Sequence, residues 1–220
     1  MAGFKAHITF GIITSVCYVS ILYTLSIVPI DVIKVCFFST IFSAMLPDID
    51  SNSGIPVQII FSILSLLTMV WLFDHLSFYV LHASTGAFLS GVGGILMYTV
   101  VQSGFKKMTS HRGAFHSIPM AFIFGLIVLS ALMPYKMAPQ IKIALALSVV
   151  IGYLCHLLLD ELNSAVNLNG QPFKPKKSLG SAMKLTASTA LSTAMLYSTL
   201  FALILLNQGF LLRYVVVRLL

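Results

Sequence analysis

Four stretches carry nearly all the chemistry this chain can offer. His7 stands near the start. "LPDID" (46–50) supplies Asp48 and Asp50. "HRGAFHS" (111–117) supplies His111, Arg112 and His116. "HLLLDELN" (156–163) supplies His156, Asp160 and Glu161. Imidazoles and carboxylates in that mixture suit Zn²⁺, Mn²⁺ or Fe²⁺, as one ion or a pair. Thiolates do not enter: Cys17, Cys36 and Cys155 lie in apolar runs without CxxC spacing, which argues against disulfides and against a zinc–thiolate site. His156 and Asp160 are four residues apart and share a helix face. Asp48 and Asp50, two apart in an extended segment, point the same way. His111 and His116 would diverge by about 140° on one helix, so His111 is expected in a loop and His116 at a helix entrance, with Ser117 as the N-cap. Arg112 suits a bidentate grip on a phosphate, or equally a topogenic charge or a partner for Asp48 or Asp50.

The elements that must position these groups are read from composition. Of 220 residues, 58% are hydrophobic and only 9% charged, against about 25% charged in an ordinary soluble domain. The mean hydropathy is +0.99. These values place the chain in a bilayer. The net charge of +7 is spread over loops, which reads as membrane topology and lipid contact rather than a nucleic-acid footprint. Lys5 precedes an apolar stretch without a small-residue cleavage site, so an uncleaved first span is expected. A span needs about 17–25 apolar residues. Seven segments qualify, near 6–28, 31–46, 56–73, 78–103, 117–133, 141–163 and 186–206. The expectation is an all-α, polytopic membrane helical bundle of about seven transmembrane helices. Residues 1–206 would form a single membrane-embedded domain and 207–220 an interfacial or β-prone tail. A turn is expected at 74–77, with His75 as an interfacial loop residue and His82 packed or hydrogen-bonded within the fourth span. Gly11 and Ser15, and Gly86, Ser90 and Gly94, recur at four-residue spacing and suit close helix contacts.

Alternating the spans puts all four polar stretches on the side of residue 1. That side also carries Lys5, Lys106, Lys107, Arg112, Lys174, Lys176, Lys177 and Lys184, against Lys34, Lys136, Lys142, Arg213 and Arg218 opposite. The positive-inside rule makes it cytoplasmic. Each polar stretch alone has an ordinary reading: a capping histidine, an aspartate pair that caps the next helix, a hydrogen-bonded His–Asp pair. An ionisable group at mid-depth costs about 2.5–3.5 kcal/mol on insertion scales. Four such stretches converging on one face therefore favour a shared cation over four unrelated structural roles.

The same residues resemble a known family. An early histidine, "LPDID", "HRGAFHS", and "HLLLDELN" followed by "GQPFKP" are together similar to the YdjM-type, LexA-regulated inner-membrane family of metal-dependent hydrolases. The likeness runs from about residue 5 to 180 with the motifs in family order. The family's HRG-x-x-HS pattern falls on His111, Arg112, Gly113, His116 and Ser117, and its H-x-x-x-D on His156 and Asp160. Asn163 stands where the family often has threonine. A more distant similarity is to the zinc-dependent phospholipase C and single-strand nuclease fold, which also uses an early histidine, an aspartate some forty residues later and H-x-x-x-D pairs. Met120 follows His116 at the offset a second such pair would need, so the likeness implies one or two zinc ions rather than three. The residues read together give His7, Asp48, Asp50, His111, His116, His156 and Asp160 as candidate metal ligands, of which His7, Asp48, His156 and Asp160 fall in the order of this likeness. The likeness implies cleavage of a lipid or other amphiphilic phosphoester by a metal-activated water, for which Asp50 or Glu161 is the candidate general base. A divalent-cation carrier or sensor with the same ligands is the alternative. Carriers commonly hold ions near mid-bilayer at broken helices in repeated halves, whereas here no repeat is visible and the ligands lie at one face. A structural protein with a vestigial site is a third reading.

Overall fold

In the computed structural model, residues 3–50, 54–79, 82–108, 113–165, 180 and 183–216 are described. They form eight α-helices: α1 (Phe4–Thr24), α2 (Ile30–Ser43), α3 (Ile55–Tyr79), α4 (Ala83–Leu96), α5 (Gln102–Met108), α6 (Ile118–Leu132), α7 (Pro139–Ala165) and α8 (Ala190–Leu211). A 3₁₀ turn, Leu46–Asp50, follows α2, and π-turns cover Met97–Val101 and Leu212–Val216. Among the described residues the one strand-like pairing is an isolated bridge between Ser117 and Lys184. The all-α expectation holds. Among the described residues six helical stretches are long and apolar enough to cross a membrane, and α6 is a shorter apolar helix.

Local chemistry explains the boundaries. Pro29 and Pro139 open α2 and α7, and Pro119 sits in the first turn of α6, where a missing N–H costs nothing. Thr189 caps α8 through a reciprocal bond with Ser192, satisfying donors that a helix start leaves open. The turn expected at 74–77 is instead helical. "WLFDHLSFY" contains no proline or glycine to stop α3, which runs to Tyr79. His75 is therefore on a helix, stacked on Trp71 at 5.2 Å, and His82 is the exposed N-cap residue of α4 rather than a packed one. The last expected span runs on past 206: α8 and the π-turn carry the helix to Val216, because "NQGFLLRYVV" lacks a breaker strong enough to end it. Ser117 occupies the N-cap position of α6 but makes no side-chain cap bond. Its hydroxyl donates to the Ala114 carbonyl at 2.6 Å.

The chain divides into two compact units. Unit 1 comprises residues 1–47 and 112–220, and α7 is its central element, packed against α1, α2 and α6, while α8 packs on α6. Small residues permit this closeness. A Cβ on Gly152 would lie 2.1 Å from the Thr40 carbonyl oxygen and from Ser43 Oγ of α2, and one on Gly125 would lie 2.4 Å from Val150 Cγ2. On α1 the buried stripe His7, Gly11, Ser15, Tyr18 and Leu22 follows helical spacing, and a Cβ on Gly11 would lie 3.0 Å from Ala44 Cβ. Without a hydrophobic drive between helices in lipid, such packing and interhelical hydrogen bonds hold a bundle together. Tyr18 donates to the Ala144 carbonyl at 2.7 Å, Ser15 to the Phe37 carbonyl at 2.8 Å, and Asn207 Nδ2 to Ser130 Oγ at 2.8 Å. The outer faces are apolar: Phe38 is 68% and Leu191 72% exposed, as lipid contact requires.

Unit 2, residues 48–111, is built on α3 and α4, with α5 continuing from the π-turn. The expected small-residue face of α4 is buried at Gly86, Ser90 and Gly94. Ser65 of α3 donates to the Gly94 carbonyl at 2.8 Å, and a Cβ on Gly94 would lie 2.3 Å from Met69 Cγ.

The tightest approach yields a direct check. Gly152→Ala puts a methyl group into backbone that cannot swing aside, and it should cost about 1–3 kcal/mol, read as a lower thermal midpoint in detergent. Gly91→Ala meets nothing within 4 Å and should leave the midpoint unchanged or slightly raised, since alanine is the better helix former by about 1 kcal/mol.

Candidate metal centre

At one end of unit 1, four polar side chains meet in the interior of the bundle. His7 is in the first turn of α1, His116 lies two residues before α6, and His156 and Asp160 stand on successive turns near the end of α7. All four are buried, at 2%, 0%, 1% and 1% exposure. The helix spacing of His156 and Asp160 puts them on one face, as the i, i+4 relation requires. α7 is 27 residues long, roughly 40 Å at 1.5 Å per residue, which exceeds a hydrocarbon core of about 30 Å. A pair near its end can thus stand close to the membrane boundary.

Asp160 is the hub. Its Oδ1 lies 3.3 Å from His7 Nε2, and its Oδ2 lies 3.9 Å from both His116 Nε2 and His156 Nε2. The His7 and His156 rings stack with centroids 3.7 Å apart and planes 10° from parallel, while His116 meets His156 edge-on at 5.7 Å. His7, His156 and Asp160 each offer a ligand atom within 4.8 Å of the others. Ligands about 2.0–2.1 Å from a tetrahedral Zn²⁺ stand about 3.3–3.4 Å from one another. The His7–Asp160 separation of 3.3 Å already has that value, and the 3.9 Å from Asp160 Oδ2 to His156 Nε2 exceeds it by about 0.5 Å.

Two further observations fit a cation. Both ring nitrogens of His7 are buried without a hydrogen bond among the described residues, an arrangement that costs free energy unless another partner is supplied. His156 Nδ1 lies 2.7 Å from the Ala44 carbonyl oxygen at the end of α2. A carbonyl accepts only, so Nδ1 carries the hydrogen, and in the neutral ring Nε2 keeps its lone pair on the side of Asp160. This is the outer bond that typically orients a metal-binding histidine.

The turn carrying His116 is tied down in turn. The Ile118 N–H donates to the Lys184 carbonyl at 2.8 Å, and the Tyr153 hydroxyl of α7 donates to the carbonyl of Phe115. Neither Tyr153 nor the Ala44 carbonyl was marked by the sequence reading. Tyr153 has a signal in retrospect, since it precedes His156 by three residues and so shares its helix face.

Of the sequence-expected residues, the structure brings His7, His116, His156 and Asp160 together. His111 and Arg112 lie outside the described residues, as do Lys174, Lys176 and Lys177. Asp48 and Asp50 are on the 3₁₀ turn that opens unit 2, Asp48 half-buried and Asp50 fully buried. Glu161 is half-buried, and its Oε1 accepts the Gly180 N–H at 2.5 Å.

The model of one protein family, described as YdjM inner membrane protein, matches residues 1–220. No curated protein and no solved structure matches the chain. With its apolar helices, and with the family match running over its whole length, this membrane protein belongs to the YdjM inner membrane protein family.

Proposed function

We propose that the protein is a multi-pass, metal-dependent hydrolase that holds a divalent cation, zinc in the first place, on His7, His116, His156 and Asp160. The observation that carries this reading is the meeting of three imidazoles and one carboxylate, all nearly inaccessible to water, in a span-rich bundle. The donor set is nitrogen and oxygen, which suits zinc, manganese or iron rather than a thiolate-loving ion. A bound divalent cation lowers the pKa of water and polarises phosphoryl oxygens. The chain's own residues do the rest. Asp160 supplies the negative charge that draws the cation in. His156, with its proton held on Nδ1 by Ala44, keeps Nε2 available. Arg112 grips the substrate phosphate, and Asp50 or Glu161 accepts a proton from water. The substrate class is a lipid or other amphiphilic phosphoester, and the site lies on the cytoplasmic side of the inner membrane.

A second reading has its own support. His116 Nε2, 3.9 Å from Asp160 Oδ2, would close the coordination that His7, His156 and Asp160 begin, and closed sites are typical of structural rather than catalytic ions. On that reading the protein is a divalent-cation carrier or sensor.

Elemental analysis of protein purified without chelators should find a stoichiometric divalent metal, lost to background in His7→Ala and Asp160→Asn. Asp48→Asn and Asp50→Asn in the same panel test whether those carboxylates also bind. Metal-loaded protein in phospholipid vesicles should release phosphate or headgroup, and Arg112→Gln should raise KM for the phosphoester. Separate Asp50→Asn and Glu161→Gln variants tell the proton acceptor apart. Metal-loaded protein that moves cations across vesicles and cleaves nothing would replace the hydrolase with the carrier.

A further inference from the structure

We propose that Tyr153 is a positioning residue for His116: its hydroxyl fastens the turn that carries this imidazole to the helix that carries His156 and Asp160. The proposal rests on the reading of the four residues as a cation site. His116 is the one member of the set outside a helix, so its placement depends on what holds residues 113–117. Tyr153 is wholly buried on α7 and donates to the carbonyl of Phe115, the residue immediately before His116. Its ring is itself fixed, stacked on Phe124 of α6 at 5.5 Å and 29°, with Phe124 in turn against Phe115 at 6.4 Å.

The result is a short rigid path. One turn of α7 separates Tyr153 from His156, and one peptide unit separates its acceptor from His116. His116 Nε2 then stands 3.9 Å from Asp160 Oδ2. A site of this kind tolerates only about 0.5 Å of displacement in its ligands, so a turn freed from α7 would loosen the imidazole from the set. A buried tyrosine needs a partner for its hydroxyl. Phenylalanine would fill the same space, so the hydroxyl's part is the bond to the turn. Tyr153 touches no cation itself and acts through His116.

The test pairs Tyr153→Phe with Tyr18→Phe. Tyr18 makes the same kind of bond, hydroxyl to the α7 carbonyl of Ala144, but toward the other end of the bundle, in a cluster with Leu22, Val28 and Ile33. Both variants keep the ring and remove a hydroxyl that donates to a backbone carbonyl, so a purely structural effect should be similar in the two. Zinc affinity is measured by competition with a chromophoric chelator in detergent, and the coordination sphere is read from the visible spectrum of the cobalt-substituted protein. Tyr153→Phe should weaken zinc binding by about 10–100-fold, the usual effect of losing an outer support, and should alter the cobalt bands. Tyr18→Phe should leave both unchanged. Unchanged affinity and spectrum in Tyr153→Phe, or equal weakening in Tyr18→Phe, overturns the positioning role while leaving the site intact. A wild-type protein that binds neither zinc nor cobalt overturns the site, and the positioning role with it.

Discussion

The Asp160 carboxylate, 1% exposed and set among three imidazoles inside a bundle of apolar helices, is the constraint that the rest of unit 1 answers. Removing a carboxylate from water costs several kcal/mol even after relaxation, and pairing repays this only where geometry is good. Nearby imidazoles reduce that cost. A dication held jointly would offset it more fully, because it meets the carboxylate charge and one buried ring nitrogen of His7 in the same place.

Such a cluster must be held rigidly, and the bundle is built to do so. α7 is in contact with α1, α2 and α6, the elements that deliver His7, the Ala44 carbonyl and His116. Gly152 allows α7 to lie against the backbone of α2, and the same closeness brings Ala44 within reach of His156. Packing and chemistry are thus one problem here. The glycine contact that sets the helix spacing also fixes which nitrogen of His156 carries its hydrogen.

Much of this was legible in the residues. Span lengths follow from runs of apolar side chains, which is why six long apolar helices and α6 fall where the runs do. The His156–Asp160 face follows from helix periodicity, and the meeting with His7 and His116 from counting membrane crossings. The sequence pattern was less informative where no breaker residue marked an end, so α3 ran through Asp74 and His75, and α8 ran past Asn207. It was silent on Tyr153 and Ala44, because a tyrosine in an apolar run reads as packing and a backbone carbonyl leaves no trace in composition. Gly152 did carry a signal: Ala144, Ser148 and Gly152 recur at four-residue spacing and are all buried on α7, the same pattern that marked Gly11 and Gly94, but the sequence reading passed over it.

One cation shared by residues from α1, the turn before α6, and α7 would leave a distinct signature in zinc K-edge X-ray absorption of the metal-loaded protein. The expected spectrum has a first shell of nitrogen and oxygen at about 2.0–2.1 Å, with outer-shell scattering from three imidazole rings that falls to two in His7→Ala. A sulfur shell at about 2.3 Å, or a shell of water oxygens without imidazole scattering, would contradict it.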